Sequence, residues 1–201
     1  MSEGNGWASP APAGLIALAM STIIFYASFA GHISAPGCLP IMGFWLIGGF
    51  AVQICVALIE LRTGGFNGGN VFLFFSAFFM LTTGMEMIFK YIAIVYQWAP
   101  AYDGHVDGWA WLALGIALIP IAISYFKSTP LSMNLMVFCL CFAVVFIVGM
   151  DIGWMSHDFG AAPASWGCLG ATFFALYTVA GQFLNKNFGK TVLPLGKPLI
   201  K

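Results

Sequence analysis

Charge is what this chain most lacks. Only 7% of its 201 residues are Asp, Glu, Lys or Arg, against roughly a quarter in soluble domains, so most of its surface cannot face water. Net charge is zero and no Lys/Arg-rich face is present to track phosphates, which sets nucleic acid aside. The stretch from Met1 to Ser9 holds no Lys or Arg; a cleaved secretory signal needs a positive n-region and is not expected. The five cysteines are an odd number, and Cys55, Cys139, Cys141 and Cys168 fall inside apolar runs, which argues against a disulfide framework. Cys139 and Cys141 lie two helical steps of about 100° apart and so face nearly opposite ways. His32, His105 and His157 are scattered without ligand spacing, so neither a metal nor a cofactor is expected. No Ser, Cys or His set at a helical spacing supplies a nucleophile with its base, and an enzyme is not expected.

What is abundant is hydrophobicity, at 61% of residues. Six apolar runs cover 13–33, 39–61, 69–98, 108–126, 131–155 and 162–184, each close to or above the ~20 residues a helix needs to cross a bilayer. Backbone in lipid must satisfy itself, and the period-two alternation of a barrel is absent, so the spans are helices. The expectation is an all-α, polytopic membrane protein: one domain over 1–201, six transmembrane helices bundled around a narrow path. Short connections carry the breakers Gly31, Pro36, Gly64, Gly65, Pro100, Gly104, Pro130 and Pro163. Arg62, Lys127, Lys186, Lys190, Lys197 and Lys201 all fall on one side of the spans, while the alternate connections hold no Lys or Arg. By the positive-inside rule the segment 1–12 and the tail 185–201 are cytoplasmic and the protein sits in a cell membrane. Trp98, Trp109, Trp111, Trp154 and Trp166 flank the opposite ends, as an aromatic belt does.

Polar residues inside the runs are not scattered. At about 100° per residue the third run aligns Phe75, Phe79, Thr82, Glu86, Lys90 and Gln97 within an arc of roughly 80°. The first aligns Gly14, Leu18, Thr22, Phe25 and Phe29; the second Gly49, Gln53, Ala57 and Glu60; the sixth Ala171, Ala175, Thr178 and Gln182. Such stripes face a bundle interior or a wet cavity, and small residues equally serve close helix packing; both readings stay open. Glu86 and Lys90 stand four apart with the acid first, the better orientation for a helical ion pair. They either neutralise one another or leave Lys90 to attract an anion at the outer mouth, where Asp151 is the third charge.

Several stretches carry a family resemblance. Pro10-Ala11-Pro12-Ala13-Gly14-Leu15 at the start of the first helix resembles the Asn-Pro-Ala-Pro-Leu-Gly-Leu signature of the acetate uptake transporters, the succinate-acetate permease family. Gly49, Gln53, Ala57, Glu60, Gly64, Gly68, Phe72 and Phe78 follow its second and third helices, and the tail from Leu184 to Gly196 resembles its C-terminal motif. Ser9 stands where the signature has Asn; its hydroxyl is expected to cap the helix with Pro10 in the first turn.

The resemblance implies a homohexamer in which each subunit has its own path for acetate and other small carboxylates such as succinate, as an anion channel or a proton-coupled carrier. The family's waist of Phe, Tyr and Leu from the first, third and fifth helices falls here on Leu18, Phe75 and Cys139. Smaller side chains at two of these places would admit longer monocarboxylates. Pro10, Pro12, Gly14, Thr22, Gln53, Glu60, Phe79, Thr82, Ala175, Thr178 and Gln182 complete the expected path, with its hydroxyls and amides as donors to the anion. Two other readings compete: a membrane sensor or scaffold that transports nothing, and a transporter of another small solute such as ammonia.

Overall fold

The computed structural model describes residues 7–98 and 103–200; Met1, Pro100 and Lys201 lie outside these. Among the described residues seven α-helices and one π-helical segment run in the order α1 (Ala11–Phe29), α2 (Leu39–Arg62), α3 (Phe66–Phe74), the π-helical Phe75–Thr82, α4 (Thr83–Val95), α5 (His105–Ser128), α6 (Leu131–Asp151) and α7 (His157–Phe188). The continuous stretch Phe66–Val95 makes one span, so among the described residues six helices are long and apolar enough to cross a membrane.

Helix ends follow local chemistry more closely than hydropathy does. The first helix stops at Phe29 and not at residue 33, and the fifth at Asp151 and not at residue 155, because Gly31 and Gly153 take φ of 76° and 83°, open to glycine without steric cost. The third span ends at Val95, with Gln97 beyond it at a φ of 56°. Gln97 is therefore not part of the polar stripe. The last helix starts at His157, five residues before the apolar run, since Ser156 caps it by accepting from the Phe159 amide at 3.4 Å. Pro163, expected as a breaker, lies inside α7, and Pro120 inside α5. At the first helix Pro10 is the cap residue and Pro12 sits in the first turn. Ser9 stands one place earlier, still accepting from the Ala11 amide at 3.3 Å.

The spans pack in the sequence α5, α6, α7, α1, α2, third span, and α3 touches α5 to close the ring. That last contact is the slightest, and the cavities described below lie beside it. Ile116, Ile119 and Ile123 of α5 are exposed, an apolar face suited to lipid. The tail is tied down: Asn185 Oδ1 accepts from the amides of Val192 and Leu193 at 2.7 and 2.9 Å, Tyr177 donates to the Pro194 carbonyl at 2.7 Å, and the Ser132 amide donates to the Leu195 carbonyl at 3.0 Å. The sequence motif in this tail thus fastens the end of α7 to the start of α6.

Candidate functional site

Three cavities that share walls in pairs form a line through the ring. The first, of about 180 Å³, runs inward from Lys90, Asp107 and Asp151 to Phe75 and Leu140. The second, of about 20 Å³, begins on the other side of those same two residues and ends at Phe72, Tyr125 and Met133. These three also line an open cavity that holds Glu60 and the 65–68 turn at the opposite end of the bundle. One polar end, one apolar waist, one small inner chamber and a second polar end follow in order.

The π-helical segment shapes the wall of this line. A π turn closes i to i+5 bonds and slips the register of everything after it. Here the hydroxyls of Thr82 and Thr83 donate to carbonyls five residues back, Ala77 and Phe78, at 3.0 and 3.2 Å. Consequently Thr83 lines the first cavity and Thr82, the expected residue, is exposed. Phe75, Phe79, Glu86 and Lys90 keep their expected places. Phe79 stacks on Phe25 with centroids 5.6 Å apart and meets Trp111 edge-on at 5.7 Å. Trp111 therefore walls the cavity; it is not part of an outer belt.

At the waist the structure corrects one alignment. Leu18, Phe75 and Leu140 are buried and face the chambers, whereas Cys139 points at α7: a side chain built on Gly170 would meet its Sγ at 2.7 Å. One residue along a helix is about 100° of rotation, so Cys139 and Leu140 cannot share a face. The apolar constriction between the two chambers is lined on α6 by Leu140 and not by Cys139.

Lys90 is not free. Its Nζ pairs with Glu86 and lies 3.1 Å from Asp107 Oδ2. Asp107 belongs to the first turn of α5, not to a loop. Gly108 allows this: a Cβ there would come 2.6 Å from the Ile152 amide nitrogen, so α5 reaches the end of α6 and carries Asp107 to Lys90. With Asp151 in the same cavity, three carboxylates surround one ammonium. Lys90 is thus a paired lysine and not a free anion-attracting one, and the cluster holds more carboxyl groups than ammonium groups. Outside the spans, Asp103 accepts from the His105 ring at 2.6 Å and its amide at 3.0 Å, which hold its carboxyl below the usual carboxylate range.

Further in, Gln53 is 1% exposed and donates through Nε2 to the Gly14 carbonyl at 3.2 Å, while its Oε1 has no partner. Gly14 leaves room for the Phe72 ring, which a Cβ would strike at 2.5 Å. At the far end Ser9 donates to Glu60 Oε1 at 2.7 Å, tying the start of α1 to the end of α2. Not every expected residue joins the line. Pro10, Pro12 and Gln182 line a separate cavity between α1 and α7, and Ala175 and Thr178 are fully buried in packing, Thr178 meeting Ser132 Oγ at 2.9 Å.

Sequence reasoning missed Asp107, Tyr125 and Leu140. Tyr125 had a readable signal: Leu118, Ile121 and Tyr125 recur at i, i+3 and i+7 and all line the inner chamber, the spacing of one helix face. Among the described residues no three His, Cys, Asp or Glu side chains gather as a metal site.

No family model matches the chain. It is 26% identical over 191 residues to the succinate-acetate/proton symporter SatP of Escherichia coli K12, a match covering 94% of this chain and 96% of that relative. The SatP of Shigella flexneri matches to the same extent. Among solved structures, that of the bacterial acetate channel SatP superposes with a TM-score of 0.73 at 23% identity, covering 94% of this chain and 99% of the other. The chain thus has the fold of the bacterial acetate channel SatP and is similar over nearly its whole length to the succinate-acetate/proton symporters, the relatives to which its helix-opening and tail motifs point.

Proposed function

We propose that this protein moves acetate and related small carboxylates across a cell membrane through the line of cavities from Lys90 to Glu60. The observation that carries the reading is the alignment of three chambers about a buried Leu18–Phe75–Leu140 waist, within a fold matched to an acetate channel. Such a waist is a dewetting barrier: it holds back hydrated ions and lets a small organic solute exchange its water for apolar contact. The polar ends concentrate solute, and the absence of a deep polar pocket between them keeps release fast.

The Lys90 end faces outward in this reading. Arg62, Lys127, Lys186, Lys190 and Lys197 lie at the other end, which supports cytoplasmic termini by the positive-inside rule. Each subunit of a homohexamer carries its own path. The exposed apolar faces, Phe44 and Trp45 on α2 and Phe138 and Val145 on α6, supply surface for lipid and for neighbouring copies. Labelled-acetate flux into vesicles holding the purified protein, compared with protein-free vesicles, tests the function. Flux above background supports it; none at any pH, with the protein folded, sinks it.

A further inference from the structure

The seam between α1 and α7 runs along the outside of the ring. At about 100° per residue, Pro12, Ala13, Ile16 and Ile23 share an arc of roughly 100° on α1, and Leu176 lies within about 20° of Phe183 on α7. Ile16, Ile23, Leu176 and Phe183 are all exposed, so the seam is an apolar groove suited to lipid. At one end it opens into a cavity of about 520 Å³ lined by Ser9, Pro10, Pro12, Gln182, Phe183 and Lys186, within the roughly 300–1,000 Å³ of small-molecule sites. That cavity shares no lining residue with the line of chambers.

Its chemistry is one-sided. Lys186 has no ion pair among the described residues, and no Asp or Glu lines the cavity. Gln182 Oε1 is buried without a partner, and such an orphaned atom costs about 1–3 kcal/mol until something meets it. The start of α1 adds no donor: Pro10 and Pro12 have no N–H, and the Ala11 and Ala13 amides donate to Ser9 Oγ and the Pro10 carbonyl at 3.3 and 3.0 Å. The other end of the seam is the reverse, a cavity with His157 and Asp158 and no Lys or Arg.

Helix length sets the depth. α7 has 32 residues, about 48 Å at 1.5 Å each. This exceeds the ~30 Å of hydrocarbon and is close to the ~40–45 Å that includes both headgroup layers. Gln182 and Lys186 stand in its last two turns, level with lipid phosphates, and the apolar groove continues from them into the hydrocarbon.

We infer that the α1–α7 cavity binds the headgroup of an anionic phospholipid that carries a polyol, such as phosphatidylglycerol, from the leaflet on the Lys186 side. The phosphate pairs with Lys186, a headgroup hydroxyl meets the Gln182 amide, and the acyl chains lie along Ile16, Ile23 and Leu176. Basic pockets between membrane helices are where anionic headgroups settle. A hydroxyl both donates and accepts, so it satisfies the amide in either orientation. Choline and ethanolamine headgroups carry no net charge and would set a second cation beside Lys186. The site is independent of what the path conducts.

The test is native mass spectrometry of the purified full chain in neutral detergent, with an equimolar mixture of phosphatidylglycerol, phosphatidylethanolamine and phosphatidylcholine of identical chains. Phosphatidylglycerol should be retained about fivefold over either zwitterion, the worth of one lysine near an anionic surface. Lys186→Gln should abolish that preference, and Lys127→Gln, at the same end of the bundle but on α5, should leave it intact. Phosphatidylmethanol, which has the phosphate but no hydroxyl, should bind less well than phosphatidylglycerol, and Gln182→Leu should remove that difference. Glycerophosphoglycerol, the same headgroup without chains, should not displace the lipid. Equal retention of the three lipids, a preference that survives Lys186→Gln or is lost with Lys127→Gln, or displacement by the free headgroup overturns the inference. So does a chain that retains no lipid, as when a second copy fills the seam. Should a variant fail to fold, the ranking of lipids on the unmutated chain decides.

Discussion

The third and sixth spans carry similar stripes in sequence and use them differently. In the third, Phe75, Phe79, Thr83, Glu86 and Lys90 look into a cavity. In the sixth, Ala171, Ala175 and Thr178 are buried against neighbouring helices, and Thr178 finds its partner in Ser132. The difference lies in side-chain volume across from each stripe. Ala and Thr on α7 let α1 and α6 come close enough to fill the space, as small residues do in membrane bundles. On the third span bulky rings alternate with polar groups and the opposing helix, α5, stands off, reaching the π-helical segment and α4 through long side chains, Trp111 against Phe79 and Asp107 against Lys90. A polar stripe becomes a cavity wall only where the partner helix is held away.

The comparison breaks hardest at the π-helical segment. Inserting one Ala between Thr83 and Gly84, in the plain α-helix just past it, should turn Glu86 and Lys90 by about 100°, away from Asp107 and toward lipid, where each charge costs about 2.5–3.5 kcal/mol. Little protein should then accumulate in the membrane, as quantified by detergent extraction; full accumulation with normal flux would mean that this register is dispensable. Next in size is the charge cluster. Lys90→Met leaves Glu86 and Asp107 facing without their cation, a loss of up to about 3–5 kcal/mol for a buried group, reduced here because these side chains are 21–33% exposed. Protein yield should drop several-fold. The triple variant Glu86→Gln, Lys90→Met, Asp107→Asn should restore it, whereas the Glu86/Lys90 double variant alone should restore less.

Smaller effects sharpen the contrast. Leu18→Phe narrows the waist and should slow butyrate more than acetate, by about thirtyfold or more, since two methylenes in an apolar constriction are worth about 1–3 kcal/mol each. An equal loss for both acids would remove Leu18 from the waist. Cys139→Leu, on the α7 side, should leave that ratio unchanged. Smallest is Thr178→Val, which should cost about 1 kcal/mol of stability through its lost hydrogen bond and lower the melting temperature by a few degrees, with flux per folded molecule intact. A fall in flux without destabilisation would put the sixth span back in the path.

Much of this was legible in the chain itself. Six runs of sufficient length and a 7% charged fraction fix an all-helical membrane protein, because backbone in lipid has few other ways to satisfy its hydrogen bonds. The Glu86–Lys90 pair and the inward faces of Leu18, Gln53 and Phe75 followed from the 3.6-residue period alone. Three-dimensional packing decided the rest. Whether residue 82 or 83 faces inward depends on one wider turn, and periodicity assumes there is none. Leu140 displaces Cys139 because the approach of Gly170 fixes the rotation of α6, and Asp107 reaches Lys90 because Gly108 lets α5 close on Ile152. The direction of the Gln53 amide is set by a carbonyl on another helix. Sequence sets which side chains a helix offers; the contacts between helices, which periodicity does not contain, decide which of them meet and which face an open space.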